Sequence, residues 1–167
     1  MDNHYHKNIS NFFIAGINYK KSDACTRGQY AISNEQYLSL LNEAAKSGLN
    51  ELFVLSTCNR TEIYGFAHTS NQLIQLLCSQ TAGCVATFKE LAYIKSGEQA
   101  VEHLFQVAAG LDSQILGDYE IVGQIKTAAK FSKEHGFIGV SMGTQRLRTE
   151  TAAMAACAYF NLINHEA

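Results

Sequence analysis

At 167 residues the chain suits one compact domain with a real core and leaves too little for two full domains. A net charge of −2 with only 17% charged residues excludes a polyelectrolyte-binding tail or a disordered chain, so any RNA contact has to come from local patches. Five cysteines (Cys25, Cys58, Cys78, Cys84, Cys157) form no Cys-x-x-Cys pair and share no ligand spacing with the six histidines, so no metal site is expected. An odd cysteine count without a secretory signal fits a reducing cytoplasm, and no apolar run approaches the roughly 20 residues of a membrane helix.

In chain order, Met1 to Ser10 is polar, and Phe12 to Ile17 reads as a short buried strand. Asn18 to Gly28, with Lys20, Lys21 and Arg27, lacks a clear period and is expected as a loop. Ser33-Asn34-Glu35-Gln36 has the form of a capping box, followed by Tyr37, Leu38, Leu41, Ala44 and Ala45 at helical spacing and by Gly48 as a stop, which predicts a helix over 34–47. Glu51 to Ser56 and Glu62 to Ala67 read as strands with a tight corner at Cys58. An amphipathic helix starts at Ser70 and ends before Gly83, and a strand is expected at Leu91 to Ile94. Ser96-Gly97-Glu98-Gln99 resembles a second capping box, opening a helix with Ala100, Val101, Leu104, Phe105 and Ala108 on its buried stripe. A further helix is predicted from about Glu120 to His135, closed by Gly136, and an alanine-rich run over 151–163 reads as another.

Strand, helix, strand, strand, helix, strand is the order of a split βαβ arrangement. The expected fold class is therefore α+β: a ferredoxin-like antiparallel sheet with helices on one face, plus C-terminal helices. Residues 1–143 form the expected domain, and 144–167 the start of a linker helix.

The corner sequence Leu55-Ser56-Thr57-Cys58-Asn59-Arg60-Thr61-Glu62 carries the chemistry. If the backbone stayed extended there, Cys58 and Arg60 would point the same way, setting a thiol beside a fixed positive charge. Such a pair suits thiolate nucleophilic attack, and an arginine can grip a carboxylate with two parallel hydrogen bonds. The other reading of an unpaired cysteine is a small buried hydrophobe. His103 lies one position off its helix's apolar stripe, where a histidine is either structural or an acid–base group.

Ser56-Thr57-Cys58-Asn59-Arg60-Thr61-Glu62-Ile63-Tyr64 closely resembles the active-site signature of the glutamyl-tRNA reductases, and His103 to Gly117 resembles that family's second main block. The resemblance runs from about Gly16 to Thr151. It implies a cysteine, Cys58, that attacks the ester of glutamyl-tRNA to form a thioester, which NADPH then reduces to glutamate-1-semialdehyde for tetrapyrrole synthesis. It implies that His103 serves that step, that backbone groups around Thr57 and Asn59 stabilise the oxyanion, and that Arg60, Ser113, the triplet Asp118-Tyr119-Glu120 and Gln124 line the substrate pocket. The family's triplet is Glu-Pro-Gln, so Glu120 places an acid where an amide is usual. The Asn18–Gly28 loop also departs from the family, at Tyr19, Lys21, Ser22 and Asp23.

The resemblance further implies a spinal helix, an NADPH-binding domain and a dimerisation domain, with a homodimer as the full assembly and a downstream aminomutase as a possible partner. No G-x-G-x-x-G fingerprint occurs in these 167 residues, so no cofactor-binding residue is expected in this chain. A diverged RNA-binding or assembly module of the same fold, and a free-standing thiol hydrolase, are the alternatives.

Overall fold

A computed structural model of the chain describes residues 8–118 and 120–137. After a 3-10 turn at Ile9–Asn11 come β1 (Phe12–Asn18), α1 (Ala24–Gly28), α2 (Asn34–Lys46), β2 (Leu52–Ser56), β3 (Arg60–Phe66), α3 (Ser70–Ser79), α4 (Val85–Leu91), β4 (Tyr93–Ser96), α5 (Gly97–Ala108) and α6 (Glu120–Glu134). The sheet runs β2-β3-β1-β4, and every neighbouring pair is antiparallel. That order is the ferredoxin-like split βαβ expected from the sequence.

Alternation along the strands divides the core in two. Ala15, Ile17, Val54 and Ile63 face α2 and α3, where Leu40, Leu41, Leu73 and Leu77 complete the larger cluster. Ile14, Leu55 and Tyr64 face the other way, onto Ala100 and Val107 of α5 and Ile121 of α6. Helices thus cover both faces rather than one, and the second layer is C-terminal. A strand buried on both sides has to find two apolar layers. β3 is such a strand: all but its last residue are buried.

α2 begins as predicted, with Ser33 and Gln36 exchanging both bonds of a capping box. The second predicted box does not form: Ser96 makes no side-chain cap and instead ends β4, paired with Phe13. Gly97, at φ +56°, turns the chain directly from strand into α5. Two short helices were not expected: α1 stands in the predicted loop, and α4 precedes the predicted Leu91–Ile94 strand, which starts at Tyr93 instead. Asp23 caps α1 by accepting from the Thr26 amide at 2.7 Å, and Cys84 precedes α4. α6 lies along β2 and is fastened there by Tyr37. That hydroxyl accepts from the Val54 amide at 2.8 Å and lies 2.7 Å from Ser132 Oγ, joining α2, β2 and α6. The expected boundary at 143 and the alanine-rich helix lie outside the described residues.

Candidate active site

Cys58 sits at the tip of the β2–β3 hairpin. Ser56 pairs with Thr61, and the Thr57 amide donates to the Arg60 carbonyl at 2.8 Å, so Cys58 and Asn59 form the turn itself. The backbone is therefore not extended at the cysteine, and the expected shared direction of Cys58 and Arg60 does not arise: the thiol is exposed, while Arg60 is 1% exposed.

The tip is held from several sides. Thr57 Oγ1 accepts from the amides of Asn59 and Arg60, both at 3.2 Å. The Tyr19 amide donates to the Asn59 carbonyl at 2.9 Å, and Arg27 Nε to the Cys58 carbonyl at 3.3 Å. The amides of Thr57 and Asn59 are thus used inside the hairpin, whereas the Cys58 amide donates to no acceptor among the described residues.

Under the tip lies a buried charge cluster built on one face of β3. Arg60, Glu62 and Tyr64 alternate onto that face. Arg60 Nη1 bonds Glu62 Oε1 at 3.2 Å and Asp112 Oδ2 at 3.1 Å, and its Nη2 donates to the Asp112 carbonyl. Glu62, fully buried, also accepts from the Tyr64 hydroxyl at 2.6 Å, from the Tyr93 hydroxyl, and from His103 Nε2 at 2.8 Å. The cross-strand neighbour of Glu62 is Gly16, where an added Cβ would lie 2.6 Å from Glu62 Cγ and 3.0 Å from the Tyr93 oxygen. A glycine here makes room for the acid and its phenol partner.

The cluster sets its own protonation. Burial opposes the Glu62 charge, but the His103 hydrogen bond, the Arg60 guanidinium and the Tyr64 hydroxyl together hold its carboxyl below the usual range. Burial likewise works against Arg60, and the carboxylates of Glu62 and Asp112 restore its cation. Burial and the adjacent Glu62 push both phenols up, so they remain donors. With Glu62 ionised, His103 Nε2 is the donor of their bond, and no hydrogen bond links His103 to Cys58.

Of the remaining expected residues, Ser113 lies half-buried in the loop after α5, its amide donating to the Gly110 carbonyl at 3.3 Å. Asp118 Oδ1 accepts from the Glu120 amide at 3.0 Å, at the start of α6. Glu120 and Gln124 line a cleft of about 480 Å³ with Asn34 and Ser56, which brings the α6 residues to the end of β2. Glu120 is not the acid that shares Arg60; that place belongs to Glu62 and Asp112. Tyr119 lies outside the described residues.

The model of the glutamyl-tRNA(Glu) reductase N-terminal domain matches residues 15–156.

The chain belongs to the glutamyl-tRNA reductase family.

It is 43% identical over 160 residues to glutamyl-tRNA reductase 2 of Flavobacterium johnsoniae, covering 90% of this chain and 37% of that one. Against the glutamyl-tRNA reductase of Aquifex aeolicus it is 35% identical, covering 86% of this chain and 38% of the other. The solved glutamyl-tRNA reductase of Methanopyrus kandleri superposes with a TM-score of 0.61 at 26% identity, over 78% of this chain and 30% of that one. The chain thus spans little more than a third of the glutamyl-tRNA reductases it matches in sequence. Among the described residues no helix is long and apolar enough to cross a membrane, and no three or more His, Cys, Asp or Glu side chains are grouped to hold a metal ion.

Sequence reasoning missed Glu62, Tyr93 and Asp112. The Arg-x-Glu-x-Tyr alternation of residues 60, 62 and 64 was the available signal: three polar side chains on one face of a strand. Nothing local pointed to Tyr93 or Asp112, which arrive from β4 and from the loop after α5.

Proposed function

We propose that this chain carries out the acyl-transfer half of glutamyl-tRNA reduction. The Cys58 thiolate attacks the ester carbonyl of glutamyl-tRNA, the sulfur–carbon bond forms, and the bond to the ribose oxygen breaks. The tRNA leaves as an alcohol, taking up a proton, and a glutamyl thioester stays on Cys58. The observation that carries this reading is the exposed thiol on a turn braced by Thr57, Tyr19 and Arg27. The Cys58 amide, with no acceptor inside the hairpin, is the donor best disposed toward the oxyanion, and Thr57 and Asn59 hold the turn that aims it.

Arg60 would take the side-chain carboxylate of the glutamyl group, and Ser113, Asp118, Tyr119, Glu120 and Gln124 would line its path. His103 would give or take a proton through Nδ1, because Nε2 is held by Glu62. NADPH supplies the hydride in the full reaction. The described residues offer no glycine-rich turn between strand and helix to cradle its phosphates. Cytoplasmic location, a homodimeric full-length protein and hand-over to an aminomutase complete the reading.

Incubating the chain with glutamyl-tRNA labelled in its glutamyl group should give an acid-stable, hydroxylamine-sensitive protein adduct that Cys58→Ser abolishes. Equal labelling of the serine variant overturns the reading. Salt-dependent tRNA binding without any adduct would instead identify a non-catalytic RNA-binding module, the alternative that the covered Arg60 favours.

A further inference from the structure

The guanidinium expected to receive substrate is already occupied. Arg60 is 1% exposed, and the residue lying over it from the outside is Asp112, whose side chain is 16% exposed and which gives Arg60 both a carboxylate oxygen and its own carbonyl. A buried, charged arginine needs an anion, and Asp112 supplies one in addition to Glu62. The other carboxylate oxygen of Asp112 is held by Lys20 Nζ, half-exposed on the loop after β1.

Asp112 therefore stands between two cations of different depth. The loop that carries it lies open to solvent. None of residues 111–118 is buried, and Leu111, Ile115 and Leu116 are 61%, 74% and 77% exposed. Its two ends are drawn together by the Gly117 amide donating to the Gly110 carbonyl at 3.2 Å, with φ of +70° at Gly110 and +80° at Gly117. Lys20 stands on the opposite wall, in a loop tied to the cysteine turn by the Tyr19 amide.

We infer that Asp112 is a built-in competitor for the substrate carboxylate at Arg60, and that Lys20 is the positioning residue that retains Asp112 when the substrate displaces it. This rests on the reading of Arg60 as the carboxylate site. The exchange conserves charge: one carboxylate leaves the guanidinium as another arrives, and the displaced one keeps its ammonium partner. The apparent affinity for a glutamyl ligand is then lowered by the fraction of molecules in which Asp112 covers Arg60. Discrimination follows from the same exchange. A ligand without the side-chain carboxylate could displace Asp112 only by leaving Arg60 with Glu62 as its single anion, so it binds at a penalty that a glutamyl ligand avoids.

A double-substitution cycle tests the exchange. The probe is glutamate α-amide, which keeps the side-chain carboxylate and amino group but offers no ester to react, and the readout is protection of Cys58 from alkylation by iodoacetamide. Asp112→Asn removes the competitor and should tighten protection by about 5-fold or more, while Lys20→Met, which leaves Asp112 on Arg60, should weaken it by a similar factor. In the Asp112→Asn background, Lys20→Met should change protection by less than about 2-fold. If Lys20 attracted the ligand directly, its loss would cost affinity in both backgrounds, and that result overturns the proposal. Looser protection in Asp112→Asn also overturns it. Asp112→Ser, whose hydroxyl can still accept from Arg60, replaces Asp112→Asn if the amide variant does not fold. Failure of the wild-type chain to form the glutamyl adduct would count against the proposed acyl transfer, whereas a normal adduct with the wrong cycle would count against the exchange alone.

Discussion

Glu62 is the residue around which the site is built. An isolated carboxylate taken out of water is costly, and this one is retained by four donors that arrive from β3, β4 and α5. Its environment makes Gly16 a position that cannot take a side chain. A Cβ there would meet Glu62 Cγ at 2.6 Å, and neither Glu62 nor Tyr93 can retreat without breaking a buried bond. Gly16→Ala is expected to destabilise the chain by about 2–4 kcal/mol, checked by urea unfolding with an unchanged m-value. It should also slow Cys58 acylation, because the strain reaches Arg60 through Glu62. Full stability in this variant would show that the cluster repacks freely.

At the scale of elements, Tyr37 decides how α6 lies. Its hydroxyl accepts from the Val54 amide in the middle of β2 and contacts Ser132 of α6, and its ring stacks on Phe131 with centroids 4.9 Å apart. Tyr37→Phe keeps the ring but leaves a buried amide without its acceptor, at an expected cost of about 1–3 kcal/mol by chemical unfolding. Hydrogen exchange should show the loss at β2 and α6 before α3, and uniform loosening would contradict this account.

The elements themselves were largely legible because their periodicity is local. The helix from Asn34 followed from Ser33, Gln36 and the spacing of its leucines, and the strands on either side of Cys58 followed from their apolar runs. α1 and α4 were missed because five and seven residues hold too few turns to display a period. The corner at Cys58 was legible as a corner, but the direction of Arg60 was not. Alternation tells which strand residues share a face and not where a turn interrupts it. Tyr93 and Asp112 could not be read from the sequence at all, since their partners lie 31 and 52 residues away.

For the molecule as a whole, the two acids of the cluster set the response to pH. Glu62 and Asp112 both have folded-state carboxyls held below their ordinary values of 4.5 and 3.8, Glu62 against its burial and Asp112 by Lys20 and Arg60 against its partial burial. Below those ordinary values the unfolded chain binds protons that the folded chain does not, so stability rises with pH across that window. The contribution is complete above about pH 5 and is lost as pH falls through the folded-state values. Thermal melts from pH 3 to 6 should therefore fall steeply on the acid side, and Glu62→Gln should flatten that slope while lowering the plateau. An unchanged slope in Glu62→Gln would place the acid response elsewhere.

The charge cluster also bears on the order of events at the ribosome. Its members come from β3, β4, α5 and the loop that follows, so a nascent chain that has exposed Cys58 but not yet His103 and Asp112 carries an acid and a guanidinium that still lack partners. The hairpin that carries Cys58 therefore acquires its buried footing only after translation has passed the second sequence block.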